Sequence, residues 1–221
     1  MLEIFNKRSG DFTERDEKLL FSLADQAAIS IAQSKVRDSQ HTDTIQMTEI
    51  LVNTMDHHSP ERKGHAKRVA MYASNIGKRY DFSDDELRKL YFAGVLHDVG
   101  FLRYEYFENW DERIKEHPTI GYEMVRPISL WGDIAHLILY HHERYDGAGY
   151  PTGKKEAEIP LGAQIIAVAD TFDTLTSEHS YKEKISESEA LEELERHAGT
   201  QFDPAVVDAL KETLRSEGIP V

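Results

Sequence analysis

The sequence lacks cysteine altogether, has no apolar run of membrane-spanning length and has far fewer basic than acidic residues. Without cysteine, a disulfide framework, thiolate metal ligands and thiol redox chemistry are excluded. The 26 basic residues against 40 acidic ones leave a net charge of -14, which disfavours nonspecific attraction to nucleic acid polymers and to anionic membranes. Residues 1–10 do not form a signal-peptide pattern, so we expect a soluble, cytoplasmic protein that binds no membrane.

Helical periodicity runs through nearly the whole chain, and no segment alternates convincingly with a period of two. A run at 165–169 (IIAVA) resembles a buried strand, but its flanks continue with helical spacing, so we interpret it as a core helix. The sequence therefore predicts an all-α fold that begins with a long N-terminal helix. The predicted helices are 13–55, 61–80, 83–97, 111–125, 130–142, 161–176, 187–197 and 204–215.

The first predicted helix has an apolar stripe at three- and four-residue spacing. Its members are Leu20, Leu23, Ala24, Ala27, Ala28 and Ile31. Two interpretations stay open: the stripe packs on its own domain, or it pairs with a second copy of the chain as a two-helix dimer contact.

Histidines and aspartates stand where several apolar helical runs end. His97-Asp98 closes YFAGVLHD, His141-His142 closes LILYHHE, and Asp170 closes IIAVAD. Burying such groups is costly unless a cation or a hydrogen-bond network compensates. Adjacent histidines on a helix point about 100° apart, which suits two neighbouring metal ions better than one.

His65 and His117 complete the candidate set of histidines. Glu61 and His65 are four residues apart in the predicted helix 61–80 and therefore share one helical face. The other histidines lack such a setting and are expected to be surface or structural residues: His41, His57, His58, His136, His179 and His197.

These motifs follow a known order along the chain. GHAKRVA, LHDVG, EHPTIG, HHERYDGAGYP, IPLGAQIIAVADTFDTLTS and GTQFDPAVV resemble the HD-GYP family of HD-domain metal-dependent phosphohydrolases. The resemblance implies an HD-domain helical bundle at 57–216, preceded by a helical linker at 41–56. It also implies two or three divalent metal ions, most often iron or manganese.

The resemblance transfers a ligand set to this sequence. The implied metal ligands are Glu61, His65, His97, Asp98, His117, His141, His142 and Asp170. Asp98 would bridge two ions, and Glu61 would bind a third. The alternative for Glu61 is a solvated glutamate that stabilises a helix N-terminus.

The implied activity is hydrolysis of cyclic di-GMP to the linear dinucleotide or GMP, with a metal-bridging hydroxide as nucleophile. Asp98 and Asp173 are the candidate catalytic residues, although Asp173 could instead orient a ligand or bind nearby backbone. The candidate substrate-binding residues are Arg144, Gly149, Tyr150, Pro151 and Lys182.

Three positions depart from the family pattern. Phe101 stands where the HDxGK motif has lysine, Gln164 where arginine is common, and His179-Ser180 where Arg-Pro is usual. Each change removes a positive charge or a rigid donor from the expected phosphate site. The departures favour an alternative, a catalytically weak, metal-loaded signalling module that binds a nucleotide or a partner protein. An HD phosphohydrolase acting on another nucleotide is a third possibility.

The N-terminal segment 1–40 resembles the last strand and closing helix of a GAF sensory domain. The match is partial and too short to enclose a ligand, so the chain is expected to be a fragment or a truncated form. Of the two interpretations of the apolar stripe, we carry forward a homodimer through the N-terminal helix.

Overall fold

The computed structural model describes residues 11–104, 110–178 and 184–219, with the side chains of 32–43 and 110–113 left out. The GAF-like strand expected before residue 11 and the positions of His179, Ser180 and Lys182 lie outside these ranges. Eight α-helices are described: α1 Glu14–His58, α2 His65–Gly77, α3 Asp84–Leu96, α4 Trp110–Val125, α5 Ala135–Tyr140, α6 Leu161–Thr176, α7 Glu187–Arg196 and α8 Pro204–Ser216.

The described residues contain no strand, apart from one isolated bridge between Ala198 and Phe202. The predicted all-α class and long N-terminal helix are therefore confirmed. The chain divides into two compact units, one up to Met47 and one from Thr48 onward. The predicted domain boundaries at 40 and 56 stay a prediction. Over the described ranges, no helix combines the length and apolar character needed to cross a membrane.

Sequence-encoded caps fix the ends of several helices. Ser83 and Glu86 form a capping box at the start of α3, and Ser186 and Glu189 form another at α7. In each box the serine hydroxyl accepts from a backbone amide and the glutamate accepts from the serine amide, so two helix-end donors are satisfied. These caps explain why the predicted starts of both helices agree closely with the structure.

Two predicted helices are wrong in extent. The segment 61–80 is interrupted, because Pro60–Arg62 forms a 3-10 turn and Gly64 adopts a left-handed conformation with φ 76° before α2 begins. A left-handed residue ends the regular helical path and is tolerated by glycine. Glu61 and His65 therefore do not share a helical face. The segment 130–142 forms an α-helix only at Ala135–Tyr140, which is preceded by a 3-10 turn at Gly132–Ile134.

The second unit is built around α2 and α6, which pack against each other and against α3. Ile165, Ile166 and Phe172 of α6 are fully buried, so the interpretation of 165–169 as a core helix is confirmed. Each such side chain contributes about 1.5–3 kcal/mol on burial. Gly94 lets α3 approach α2 closely, since a Cβ there would lie 2.9 Å from the Ala70 Cα. This close packing holds the ends of the core helices beside one another.

Candidate metal centre

The core helices bring the predicted donors to one place. His65 is the first residue of α2, His97 caps the end of α3, and Asp98 follows it. His117 lies within α4, and His141 caps the end of α5. Because helix ends and helix interiors that carry these donors meet in the core, residues far apart in sequence become neighbours.

One group of donors contains His65, His97 and Asp98, whose ligand atoms all lie within 4.8 Å of one another. Asp170 of α6 adjoins this group, because its Oδ1 lies 3.1 Å from His65 Nε2 and 3.9 Å from His97 Nε2. Two imidazoles and two carboxylates thus surround a common point.

A second group contains His117, His141 and His142, again with ligand atoms within 4.8 Å. The Nε2 atoms of His117 and His141 are 3.2 Å apart. The rings of His141 and His142 have centroids 4.1 Å apart. Three imidazoles therefore present nitrogen donors to a second point.

Asp98 lies between the two groups. Its Oδ1 is 3.3 Å from His117 Nε2, and its Oδ2 is 3.3 Å from His97 Nε2 and 3.7 Å from His65 Nε2. One oxygen thus faces each group, which is the arrangement needed for a carboxylate that bridges two cations.

Hydrogen bonds from Nδ1 to backbone carbonyls orient two of the imidazole rings, so that their other nitrogen faces the centre of the site. His97 Nδ1 donates to the Gly94 carbonyl and His141 Nδ1 to the Ile138 carbonyl, both at 2.6 Å. A proton held on Nδ1 leaves the Nε2 lone pair of each ring for the centre of the site. The backbone turn before each ring therefore sets its tautomer.

His65 is oriented by a side chain instead. Its Nδ1 lies 2.7 Å from Asp173 Oδ2, and Arg68 donates to the same carboxylate through Nε at 2.6 Å and Nη2 at 3.0 Å. Burial alone would raise the pKa of Asp173, but the hydrogen bonds from His65 and Arg68 outweigh it and lower that pKa. Asp173 thus stays ionised behind His65.

The electrostatics of the second group favour neutral imidazoles. Burial lowers the pKa of His117 to about 3 and lowers the pKa of His141 and of half-buried His142 as well. Neutral imidazole is the form that binds metal ions. At neutral pH the imidazoles of the second group can therefore bind a cation without first losing a proton.

In the first group, burial and neighbouring charges shift the pKa values in opposite directions. Burial would raise the pKa of Asp98, but the charges of Arg62 and His97 lower it well below its ordinary value. Burial would lower the pKa of His97, but the Asp98 carboxylate outweighs that effect and raises it. Asp98 is accordingly a carboxylate at every physiological pH.

One buried nitrogen tests whether these residues fit a metal. Within the described residues, His97 Nε2 is buried without a hydrogen-bond partner. His97 Nε2 points toward Asp98 and the rest of the first group, and an unsatisfied buried nitrogen beside carboxylates needs a compensating partner. A divalent cation would supply that partner, so the donor set fits nitrogen- and oxygen-bound metals.

The loop that follows α5 supports His142. A Cβ on Gly149 would lie 2.3 Å from the Arg144 amide nitrogen and 2.6 Å from the His142 carbonyl, so only glycine permits this approach. Tyr150 stacks on His142 at 5.0 Å between ring centroids, and its amide donates to the His142 carbonyl at 3.2 Å. The predicted substrate contacts of Gly149, Tyr150 and Pro151 stay a prediction beside this packing role.

A cavity of about 310 Å³ opens beside the second group. His142 and Asp170 lie in its wall, together with Arg144. Arg144 is held there by Asp146, 2.7 Å from Nη2, and by Gln201, 3.2 Å from Nη1. His197, interpreted from sequence as surface or structural, also lines this cavity.

Two of the residues that depart from the HD-GYP sequence pattern have structural roles. Phe101 is buried and stacks on His117, with ring centroids 4.1 Å apart and planes inclined by 20°. Gln164 donates through Nε2 to the carbonyls of Glu156 and Ile159, at 3.0 and 2.9 Å. Phe101 therefore backs a donor ring, and Gln164 ties a loop to α6.

Two neighbouring residues differ from the sequence prediction: Glu61 is absent from both donor groups, and Arg62, which the sequence analysis did not consider, contacts the first one. Glu61 belongs to neither donor group among the described residues. Its neighbour Arg62 instead reaches into the first group, where Nη1 lies 2.8 Å from Asp98 Oδ2. Pro60 and Gly64, which bracket a turn too short for an α-helix, were the signal that could have redirected attention to Arg62.

A helical core that gathers histidines and aspartates from several helices defines the class of HD-type metal-binding domains. The HD domain family matches residues 49–206, and the chain belongs to that family.

Curated relatives carry phosphodiesterase names. A cyclic di-GMP phosphodiesterase of Thermotoga maritima is 35% identical over 181 residues, covering 74% of this chain and 48% of the relative. The cyclic di-GMP phosphodiesterase response regulator RpfG of Xanthomonas campestris is 39% identical over 158 residues, or 65% of this chain and 41% of the relative. A 3'3'-cGAMP-specific phosphodiesterase 3 of Vibrio cholerae is 32% identical, with 72% and 37% covered. The chain thus spans half or less of the length of these relatives.

Solved structures support the fold. The cyclic GMP-AMP specific phosphodiesterase V-cGAP3 of V. cholerae aligns with a TM-score of 0.63 at 23% identity, covering 76% of this chain and 48% of that one. The HD domain of Listeria monocytogenes PgpH in complex with cyclic-di-AMP aligns with a TM-score of 0.53 at 18% identity, covering 76% and 94%. At these identities the likeness establishes a common fold.

Proposed function

We propose that this chain is an HD-GYP-type phosphodiesterase domain that hydrolyses cyclic di-GMP, or a related cyclic dinucleotide, to the linear dinucleotide or GMP. The observation that carries the proposal is Asp98, which faces one donor group with each oxygen. The names of the relatives supply the substrate class, since they act on cyclic di-GMP or cGAMP.

The proposed ligands follow from the two groups. His65, His97 and Asp170 would hold one ion and His117, His141 and His142 the other, with Asp98 shared. When bound, such ions activate water as a nucleophile and neutralise the charge of a phosphodiester. The protein's own part is to keep the imidazoles of the second group neutral, as the low pKa of His117 does, and to hold a ring from behind, as Asp173 does for His65.

The cavity beside the second group is the proposed substrate site. It brings a bound phosphodiester next to His142 and Asp170, and Arg144 supplies a positive charge in its wall. An arginine already oriented by Asp146 loses little side-chain entropy on binding phosphate. Gly149, Tyr150, Pro151 and Lys182 complete the substrate-binding set that we propose.

Two ions are supported by the two donor groups, and nitrogen-oxygen donor sets of this kind suit iron or manganese. A third ion would require Glu61, which lies in the 3-10 turn that Gly64 separates from α2. Replacing Glu61 with alanine and counting metals distinguishes these cases: an unchanged content of two per chain supports the two-ion centre, and a fall from three to two supports the third site.

We also propose a homodimer through α1. Leu23 and Ile31 of the predicted stripe are exposed in a single chain, as are Phe21 and Ile29 on the same helix. Large exposed apolar side chains repeated along one helix are typical of an interaction surface. Sedimentation equilibrium of the chain tests this assembly, with a Leu23→Glu and Ile31→Glu variant expected to be monomeric.

One observation favours the second function, a catalytically weak signalling module. Phe101 stacks on His117 where the family has lysine, so no cation is contributed from that position. The decisive experiment loads the protein anaerobically with Fe²⁺ or Mn²⁺, adds cyclic di-GMP or cGAMP, and follows the linear product. Turnover supports the enzyme; binding without turnover supports the module.

A further inference from the structure

Arg62 occupies the first donor group with its guanidinium. Nη1 lies 2.8 Å from Asp98 Oδ2, Nη2 lies 3.5 Å from Asp170 Oδ1, and Nη2 also contacts His65 Nε2 at short range. The side chain is 15% exposed. One cation thus touches three of the four donors that surround the first point.

The backbone before α2 directs this side chain inward. Arg62 ends the 3-10 turn Pro60–Arg62, and Gly64 then reverses the chain with φ 76° so that His65 can start the helix. The amide of Gly64 is held by Asp56 Oδ1 at 2.9 Å, which fixes the turn. The placement therefore results from the local fold and does not depend on a flexible surface side chain.

The contacts also have a chemical consequence at His65. Its Nδ1 hydrogen bonds to Asp173, so Nε2 carries the single in-plane lone pair that accepts from Arg62. One lone pair cannot serve a guanidinium and a metal ion together. Arginine also remains charged at all relevant pH values, so it cannot leave the site by losing a proton.

The second group is different. The Arg62 guanidinium contacts donors of the first group, whereas on the side of the second group it lies 6.0 Å from the centroid of the Phe101 ring, which stacks on His117. A small cavity of about 30 Å³, lined by Met55, His58 and Phe101, borders Arg62. This cavity has room for about two water molecules, so a displaced guanidinium must also shift the side chains around it.

We propose that Arg62 is a built-in competitor for one of the two metal ions: it and a divalent cation exclude each other at His65, Asp98 and Asp170. The two metal positions are therefore unequal. The His117, His141 and His142 position fills first, and the first group fills only when the ion displaces the guanidinium. This inference rests on the proposed metal centre.

The test compares metal binding by wild type, Arg62→Gln and a matched control. Arg88→Gln removes the same charge from an exposed arginine of α3 that pairs with Asp85. Metal-stripped proteins are titrated with Mn²⁺ under anaerobic conditions, and bound ion is measured by equilibrium dialysis. The wild type and Arg88→Gln are expected to bind one ion tightly and one weakly. In Arg62→Gln, the weaker affinity should rise by about 10-fold or more, the effect of one removed charge-assisted contact.

Thermal unfolding adds a readout that a purely structural arginine would not produce. Without metal, Arg62→Gln should unfold at a lower temperature than wild type, because Asp98 and Asp170 lose their compensating cation. Saturating Mn²⁺ should then raise its unfolding temperature by more than it raises that of wild type. Arg62→Lys, which keeps the charge but lacks the planar fork, should give an intermediate gain in affinity, and it is the variant to use if Arg62→Gln does not fold.

The possible results of the Mn²⁺ titration distinguish failure of the Arg62 competition from failure of the proposed metal centre. Equal or weaker Mn²⁺ binding in both Arg62 variants, with two ions still bound by wild type, would overturn the competition and leave the metal centre intact. If wild type and Arg62→Gln both bind fewer than two ions at saturation, the two-metal centre fails, and the competition fails with it.

Discussion

His65 Nδ1 lies 2.7 Å from the Asp173 carboxylate, and this single hydrogen bond aims the opposite nitrogen of the ring at Asp98 and Asp170. Carboxylates that bind a histidine ligand from behind typically contribute 10- to 100-fold to metal affinity. The sequence left open whether Asp173 acts on a ligand or on backbone, and the contact places it on a candidate ligand.

Replacing Asp173 with asparagine should weaken metal binding at the first group by about 10- to 100-fold, because the neutral amide holds His65 less firmly. The second-group affinity should change little. Mn²⁺ titration of the stripped protein measures both. Asp133→Asn, on an exposed carboxylate that pairs with Lys89, is the control. Equal loss at both sites would instead indicate general damage to the fold.

Replacing Phe101 with lysine tests the departure at the HDxGK position. If the missing cation limits catalysis, hydrolysis of cyclic di-GMP should become faster by about 10-fold or more. The change also removes the ring that stacks on His117, so we expect stability to fall by about 2 kcal/mol. Phe101→Leu serves as the comparison, since it loses the ring without adding charge. A lysine variant no faster than the leucine variant would show that this cation is not limiting.

The metal-stripped protein should lose stability as the pH falls. The pKa of His117 is lowered to about 3 by burial, so the folded state keeps the ring neutral while the unfolded chain takes up a proton. The unfolded state then binds more protons between pH 6.5 and 3, so this contribution is fully present above pH 6.5 and is lost as the pH falls through that range. We expect about 2 kcal/mol of loss between pH 7 and pH 5 from this residue.

Urea unfolding in the presence of a chelator at both pH values measures that loss. The His117→Gln variant removes the titrating group, so its stability should depend less on pH than that of wild type. An equal pH dependence in the two proteins would mean that His117 is not held neutral.

Gly149→Ala should disturb the metal centre through the backbone. The added Cβ would meet the Arg144 amide nitrogen at 2.3 Å, so the segment that carries His142 must shift. We expect weaker binding of the second-group ion and a lower unfolding temperature. The exposed neighbour variant Ala148→Ser should have neither effect. Unchanged metal binding in Gly149→Ala would show that the loop does not position His142.

The regular helices could be predicted from sequence because their signals are local. Ser83 and Ser186 are followed by glutamate three residues later, and 161–176 has an uninterrupted helical pattern. The convergence of His65, His97 and His141 was indicated by ligand types at the ends of apolar runs. These features need no knowledge of how distant segments pack.

The wrong predictions lie where a single residue or a tertiary contact determines the local structure. The continuous helix predicted for 61–80 failed at Gly64, whose left-handed backbone separates the turn from α2. Arg62 was missed for the same reason, since its contact with Asp98 joins residues 36 positions apart and depends on that turn. The support of His65 by Asp173 spans 108 positions, so no local pattern fixes it.

Metal content per chain tests the central claim most directly. Wild-type protein, purified and saturated with Mn²⁺ or Fe²⁺ under anaerobic reducing conditions, should retain two ions per chain by elemental analysis. Asp98→Ala should retain fewer, because Asp98 faces both donor groups. A saturated wild-type protein with one ion or none per chain would contradict the account.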